Sequence, residues 1–386
     1  MGLANMGHHV TVIHCEDAFR LKQREERKPK DTHENIRIIR LRHALGPVSP
    51  LITQQFGVAG LKYRALKKIL DEHFDVVNFH NISLIGGPSI LGMSKALVTL
   101  YTLHEHWLVC PTHILWKFGR KACDGKQCIR CCLSSGIPPQ LWRYGSGIER
   151  GLANVDLMLA PSRFTLEKHA HLSSFTDLSV LPLFSNLSDA EKTRDEVVPK
   201  QFLTVGRVTR SKGISDLVAS FSRWPAYRLV VAGDGDELAF LRKKYANCEN
   251  ITFIGSVAQN ELTRFYRKSV AVILPSLAPE TFGLTVVEAF SCGVPAIVRR
   301  AGGNTEVIER YGGGYIYDEP AELKRFLELL VGTPGLRYQL GKQGRDACEQ
   351  EFSREVYLRR YLNIIMEIAE RKGFNLEETL TSGGVH

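Results

Sequence analysis

Two cations and two carboxylates, set just beyond short β-branched runs, are where this sequence could do chemistry. Arg207 and Lys212 lie in Gly206-Arg207-Val208-Thr209-Arg210-Ser211-Lys212-Gly213, after the run Phe202–Val205 and before a helical pattern starting near Ile214. The glycines let the backbone come close to a ligand. Fixed cations at the C-terminal end of a strand suit a diphosphate leaving group. Its negative charge grows as the bond to a sugar breaks, so such cations favour the transition state over the ground state. Taken alone, the segment reads as a basic surface turn.

The second element changes that balance. Leu274-Pro275-Ser276 ends another run, and Glu280-Thr281-Phe282-Gly283-Leu284-Thr285-Val286-Val287-Glu288 follows. The pattern predicts a helix from about Gly283 or Leu284, with Glu280 in the loop before it and Glu288 on the helix. Free N–H groups at such a helix start would face an anion, and Gly283 allows its approach. A carboxylate accepts from two hydroxyls at once, which suits sugars and ribose diols. Two glutamates near a helix are usually just solvated; joined to a strand end, a glycine and the earlier cations, they are much rarer by chance.

These groups need elements to hold them. His9–Ile13, Ile36–Ile39, Asp75–Phe79, Leu97–Tyr101 and Leu157–Ala160 read as strands, with amphipathic stretches such as Leu61–His73 between them. A second series comprises Phe202–Val205, Arg228–Ala232, Ile251–Ile254, Val270–Leu274 and Ala296–Val298, after a polar stretch from Asn186 to Lys200 that reads as a linker. Alternation of this kind predicts α/β architecture: two Rossmann-like halves with parallel sheets, facing a cleft, and ligands at the carboxyl ends of the strands. The expected divisions are 1–187, 198–351 and a long amphipathic helix over 352–372. The tail from Gly373 to His386 reads as loose.

Composition sets outer bounds. The chain has 386 residues, 44% of them hydrophobic and 24% charged, enough for two domains with a sizeable core. The net charge of +9 favours anionic partners. The excess is dispersed except for Arg20, Lys22, Arg24, Arg27, Lys28 and Lys30, which Glu25 and Glu26 interrupt, so this knot reads as a solvated loop. No nucleic-acid module is visible. The most apolar window, Ser83–Leu103, contains Gly86-Gly87-Pro88 and Lys95, and reads as a buried helix followed by a strand, not a membrane span. With no signal peptide in view, a reducing cytoplasm is expected, and the sequons at Asn81 and Asn186 carry no weight. Lys62, Arg64, Lys67 and Lys68 stand beside apolar residues in Leu51–His73; this face reads either as core packing with a solvated edge or as a contact to the inner membrane surface.

Five cysteines fall between Cys110 and Cys132, and Cys128-Ile129-Arg130-Cys131 has the spacing of one side of a thiolate metal site. Cys110, Cys123, Cys128 and Cys131 could together hold a structural zinc; the other reading is a set of reduced, partly buried thiols. Gly233-Asp234-Gly235-Asp236-Glu237-Leu238 fails as a dinucleotide fingerprint, because Leu238 stands at the third glycine position. Asp234 and Asp236 could form an Asp-x-Asp metal pair; the preferred reading is a turn after a strand.

In order and spacing, several segments resemble glycosyltransferase family 4. They are Gly206-Arg207…Lys212-Gly213, Gly233-Asp234-Gly235, Phe253-Ile254-Gly255, Pro275-Ser276, Glu280…Glu288, Ala289–Pro295 and Gly302-Gly303. The resemblance implies a GT-B fold and a retaining transfer that moves a sugar from a nucleotide diphosphate sugar to a hydroxyl of a glycan or lipid-linked acceptor, as in polysaccharide biosynthesis. No cofactor is required for such a transfer. It implies that Arg207 and Lys212 grip the diphosphate, that Glu288 holds the ribose and that Glu280 binds donor sugar hydroxyls. Gly206, Phe282, Gly283, Leu284 and Thr285 would complete the donor site, largely through the main chain.

Asp75–His80 and Tyr101-Thr102-Leu103-His104-Glu105 are similar to strand ends on the family's acceptor side, which would place His104 near the reacting sugar. Front-face attack, with the leaving phosphate accepting the acceptor proton, would need no protein nucleophile. Family members open with a strand and a glycine-rich loop; Met1–Val10 resembles the end of the helix that follows them, so that strand and loop are expected to be missing. The competing reading is a non-catalytic, metal-stabilised scaffold derived from the same fold.

Overall fold

The computed structural model describes residues 1–22, 33–187 and 197–374. Most of the basic knot, the centre of the polar stretch and most of the tail thus lie outside the described residues. The strands, in chain order, are β1 (Val10–Cys15), β2 (Ile36–Leu41), β3 (Val76–His80), β4 (Val98–Thr102), β5 (Trp116–Lys117), β6 (Lys121–Ala122) and β7 (Leu157–Ala160). They continue with β8 (Asp177–Val180), β9 (Gln201–Val205), β10 (Arg228–Ala232), β11 (Ile251–Gly255), β12 (Ala271–Leu274), β13 (Ala296–Arg299) and β14 (Gly314–Tyr317).

The strands of the second half form one parallel sheet in the order β11-β10-β9-β12-β13-β14. Its apolar runs are buried on both faces, as a helix-covered parallel sheet requires. Along the strands the side chains alternate between two cores: Leu203, Val230, Val272 and Val298 enter one, and Phe202, Val231, Ile273 and Ile297 the other. Because β10 and β12 flank β9 on opposite sides, the chain reverses direction across the sheet there. Such a reversal opens a crevice at the C-terminal strand ends. The loops after β9 and β12, which carry Lys212 and Glu280, both leave from this point.

The first half carries a four-stranded parallel sheet, β3-β4-β7-β8, with β4 and β7 buried along their whole lengths. β1 and β2 pair with each other in a separate parallel ribbon. Periodicity alone did not predict β8, β14 or the small β5–β6 hairpin. The apolar window 83–103 also differs from expectation: short 3₁₀ turns at Ile82–Leu84 and Gly87–Met93 replace an α-helix, followed by β4. The cause is local, since Pro88 and a Gly87 at φ +59° cannot continue an α-helical ladder.

The last described helix, Arg354–Arg371, starts where Ser353 Oγ accepts the Val356 N–H at 3.2 Å. Its apolar stripe, Tyr361, Ile365, Ile368 and Ala369, packs on Val98, Leu100, Leu157 and Leu159 of the first half. Each buried aliphatic of this kind contributes about 1.5–3 kcal/mol. Lys372 Nζ fastens the far end, donating to Leu97 O at 2.6 Å and Asp156 Oδ2 at 2.7 Å. Where the chain enters this helix it lies beside the segment leaving the first half: the Ser185 N–H donates to Phe352 O at 3.3 Å, and Arg354 donates to Asn186 Oδ1 at 3.2 Å.

Candidate functional site

The loop after β9 turns back through Gly213, whose φ of +67° is left-handed; a Cβ there would lie 2.1 Å from the Pro275 carbonyl oxygen. Only glycine fits, and its absent side chain lets this loop lie against the end of β12. The N–H groups of Leu277 and Ala278 then both donate to Ser211 O at 2.9 Å. Lys212 is carried to the Glu280 carboxylate, with Nζ 2.7 and 2.9 Å from its two oxygens. Ser276 Oγ donates to the same carboxylate.

Glu280 is fixed from behind as well. Its N–H donates to Ala301 O at 3.0 Å, and its carbonyl accepts the Gly303 N–H at 2.8 Å. Gly302, at φ +83°, permits this, because a Cβ would come within 2.5 Å of the Glu280 carbonyl oxygen. The helix Leu284–Ser291 starts immediately afterwards with Gly283 at its N-cap, so no side chain caps the first-turn amides. Leu284 is exposed, Thr285 half-buried, and Phe282 buried against Phe352. Arg207 is exposed and Gly206 half-buried at the start of the first loop.

On that helix Glu288 is half-buried, and its Oε2 accepts a 2.8 Å hydrogen bond from the hydroxyl of Tyr266. Burial raises the Glu288 carboxyl above the ordinary range, and the Tyr266 hydrogen bond partly offsets this.

The other half reaches the same place. Thr281, next to Glu280, donates from Oγ1 to the His104 carbonyl at 3.2 Å, and its own carbonyl accepts from Ser162 Oγ at 2.6 Å and Thr165 Oγ1 at 2.8 Å. Glu306 accepts the N–H groups of Arg163 and Phe164, each at 3.0 Å, at the start of the helix Arg163–His169. His104 Nε2 lies 2.8 Å from His80 Nδ1, with the rings stacked at 5.0 Å. One nitrogen must donate and the other accept, so the tautomers of the two rings are tied together. Loss of water lowers His104, and loss of water followed by the neighbouring imidazole pushes His80 down to about 4.

The structure therefore gathers Lys212 and Glu280, sets them at the helix that carries Glu288, and places the His104 backbone against the same loop. Nothing in the sequence marked Tyr266 or Glu306, and His80, Ser276 and Thr281 stood only within larger segments, with no role of their own. β3 and β4 pair in register with His80 opposite Thr102, so a residue ending β3 faces the residues just beyond β4, a neighbour that only the structure reveals. Tyr266 had no signal, since an apolar-faced helix gives no reason to single out one aromatic.

The thiols do not form the expected zinc shell. Among the described residues, no group of three or more His, Cys, Asp or Glu is arranged to hold a metal ion. Cys110 contacts Thr112 Oγ1 at 3.2 Å, exposed Cys123 donates to Gly125 O at 3.6 Å, and buried Cys131 accepts the Phe118 N–H at 3.4 Å. Burial, and after it the neighbouring Cys110, Cys123 and Cys131, raise the Cys128 thiol. Asp234 Oδ1 accepts the Gly235 N–H at 2.7 Å, which makes it part of a turn.

The family model described as Glycosyltransferase Family 4 matches residues 1–186, and that described as Glycosyl transferases group 1 matches residues 188–347. The chain is 33% identical over 259 residues to a sulfoquinovosyl transferase of Arabidopsis thaliana, covering 63% of this chain and 45% of that protein. It is 28% identical over 198 residues to a GDP-mannose-dependent phosphatidylinositol dimannoside mannosyltransferase of Mycobacterium tuberculosis, covering 48% and 51%. The chain spans about half the length of the curated relatives it matches. Sucrose-phosphate synthase from Thermosynechococcus elongatus superposes with a TM-score of 0.70 at 19% identity, over 96% of this chain and 91% of that one. The fold is GT-B.

Proposed function

The chain belongs to glycosyltransferase family 4, and on that premise we propose that it moves a sugar from a nucleoside diphosphate donor to a hydroxyl of a glycan or lipid-linked acceptor, with retention at the anomeric carbon. The observation that carries this reading is the convergence of Lys212, Ser276 and Glu280 at an uncapped helix start, with Glu288 farther along that helix.

In this reading Lys212 and exposed Arg207 hold the diphosphate, and the first-turn amides from Leu284 onward add partial positive charge. Their interaction strengthens as the leaving group gains charge, which is the condition for accelerating the chemical step. Glu280 accepts from donor sugar hydroxyls, and Glu288 from the ribose. His104 donates to the sugar or leaving group from across the cleft. With the cations fixed by the protein, no metal ion is needed at the diphosphate.

A thermal-shift panel with UDP, GDP, ADP and CDP in EDTA tests the donor site. A ligand at about a hundred times its dissociation constant adds about 2.7 kcal/mol. A selective shift by one nucleotide is expected; no shift in a folded sample would sink the reading and move the scaffold alternative ahead.

For the acceptor we favour a lipid-linked molecule met by a cytoplasmic protein at the inner membrane face. Leu51, Phe56, Val58 and Tyr63 are exposed on and beside the helices Val48–Phe56 and Tyr63–Leu70, together with Arg64. Lys62 is buried and donates to Ser49 Oγ, so it takes no part in such a face. No helix of the described residues is long and apolar enough to cross a membrane. Flotation with anionic liposomes at low salt is expected to carry the protein upward; failure to co-migrate removes this acceptor class.

A further inference from the structure

We propose that Tyr266 is the positioning residue for the donor ribose: its hydroxyl holds one oxygen of the Glu288 carboxylate and fixes the other where a ribose diol can reach it. This rests on the reading of Glu288 as the ribose group. Tyr266 is wholly buried near the end of the helix Gln259–Arg267, in the core with Leu262, Val272 and Val287. A buried hydroxyl must find a partner, and this one donates to Glu288 Oε2 at 2.8 Å.

The choice of donor matters. A lysine or arginine there would neutralise the carboxylate and compete with the ribose through further N–H groups. Tyrosine supplies one neutral donor, spends it on one oxygen, and leaves both the charge and the second oxygen available. Burial and the adjacent carboxylate keep the phenol protonated, so it remains a donor at any working pH. Cys292, just past the end of the helix that carries Glu288, lies near both members of the pair, and Arg267 beside Tyr266 and Arg345 and Cys348 of the helix Pro334–Glu351 lie around Cys292. The Tyr266 hydrogen bond opposes the effect of burial on Glu288. Without its hydroxyl the carboxyl holds its proton to higher pH, and a protonated carboxyl is a poorer acceptor for two ribose hydroxyls.

The test is calorimetric titration of the intact protein with UDP, GDP and ADP, and with the 2′-deoxy and 3′-deoxy forms of whichever binds, from about pH 4.5, in the ordinary carboxyl range, up to about pH 9. Tyr266→Phe is expected to weaken ribonucleotide binding about tenfold at the acid end. Affinity should recover toward the alkaline end, and the preference over deoxy forms should narrow. On a Glu288→Gln background the same change should add nothing, because the residue acts through the carboxylate. Tyr266→Phe removes one oxygen and keeps the ring, so the core is expected to stay folded, and its urea midpoint checks this. A loss equal at every pH, or one that persists on the Glu288→Gln background, would assign Tyr266 to packing and overturn the proposal. Unchanged binding would overturn it too. If the unaltered protein binds none of the three nucleotides, or Glu288→Gln binds as well as it does, the donor-site reading itself fails, and this inference with it.

Discussion

Lys212 and Glu280 come from loops after two adjacent strands and neutralise each other, Nζ lying 2.7 and 2.9 Å from the two carboxylate oxygens. In the proposed reaction one grips phosphate and the other sugar hydroxyls, so the donor must enter between groups already paired. The pairing keeps a half-buried lysine and a half-buried carboxylate from standing alone, and it orients both. Lys212→Ala is expected to lower transfer by about a hundredfold or more, the scale of losing one preorganised charge at a developing anion. Near-unchanged turnover in a folded variant would remove the assignment.

Gly213→Ala tests how that lysine is delivered. The new Cβ would meet the Pro275 carbonyl at 2.1 Å in a left-handed backbone. A stability loss of about 1–3 kcal/mol is expected, with weakened nucleotide binding because Lys212 is displaced. Urea unfolding and titration read the two effects separately; wild-type values in both would show that the turn is not what places Lys212.

Glu306→Ala removes the carboxylate that receives two N–H groups at the start of a helix in the other half. A loss of about 1 kcal/mol is expected, the usual value of a helix cap. An unaltered urea midpoint would mean that water replaces the carboxylate at no cost.

His106 and His169 stack at 5.6 Å and are almost fully buried; both His106 nitrogens and His169 Nε2 lack a hydrogen-bond partner among the described residues. Loss of water pushes them down to about 3 and about 4. The unfolded chain binds protons near the ordinary histidine pKa, below which these two rings stay neutral only in the folded state. Their contribution is therefore fully present above about pH 6.5 and is lost as pH falls from there toward about 4. Each ring should cost about 1.4 kcal/mol of stability per pH unit in that window. Unfolding midpoints at several pH values should steepen accordingly, and His106→Leu should flatten the slope; a slope unchanged by the substitution would put the acid sensitivity elsewhere.

The strands most legible in the sequence were those buried on both faces, because runs such as Ala271–Leu274 offer no other stable state. β14 was illegible: Gly314-Tyr315-Ile316-Tyr317 is short and acquires its strand identity from pairing with β13. The candidate site divides the same way. Lys212, Glu280 and Glu288 could be picked out because glycines and strand ends punctuate the chain around them. Tyr266 and His80 could not, because what singles them out is a partner distant in sequence, and spacing carries no information about partners. The cysteine set stayed open for a related reason: a CxxC pair sets two sulfurs near each other, but how Cys110 and Cys123 lie about them is decided by chain outside the pair.

The chain passes between the halves twice, and the two passages run side by side where Ser185 meets Phe352 and Asn186 meets Arg354. The halves are thus held by two adjacent tethers. Thr281 and Glu306 add contacts to the first half that run through neither tether. It follows that cutting either tether alone would leave the halves joined by the other.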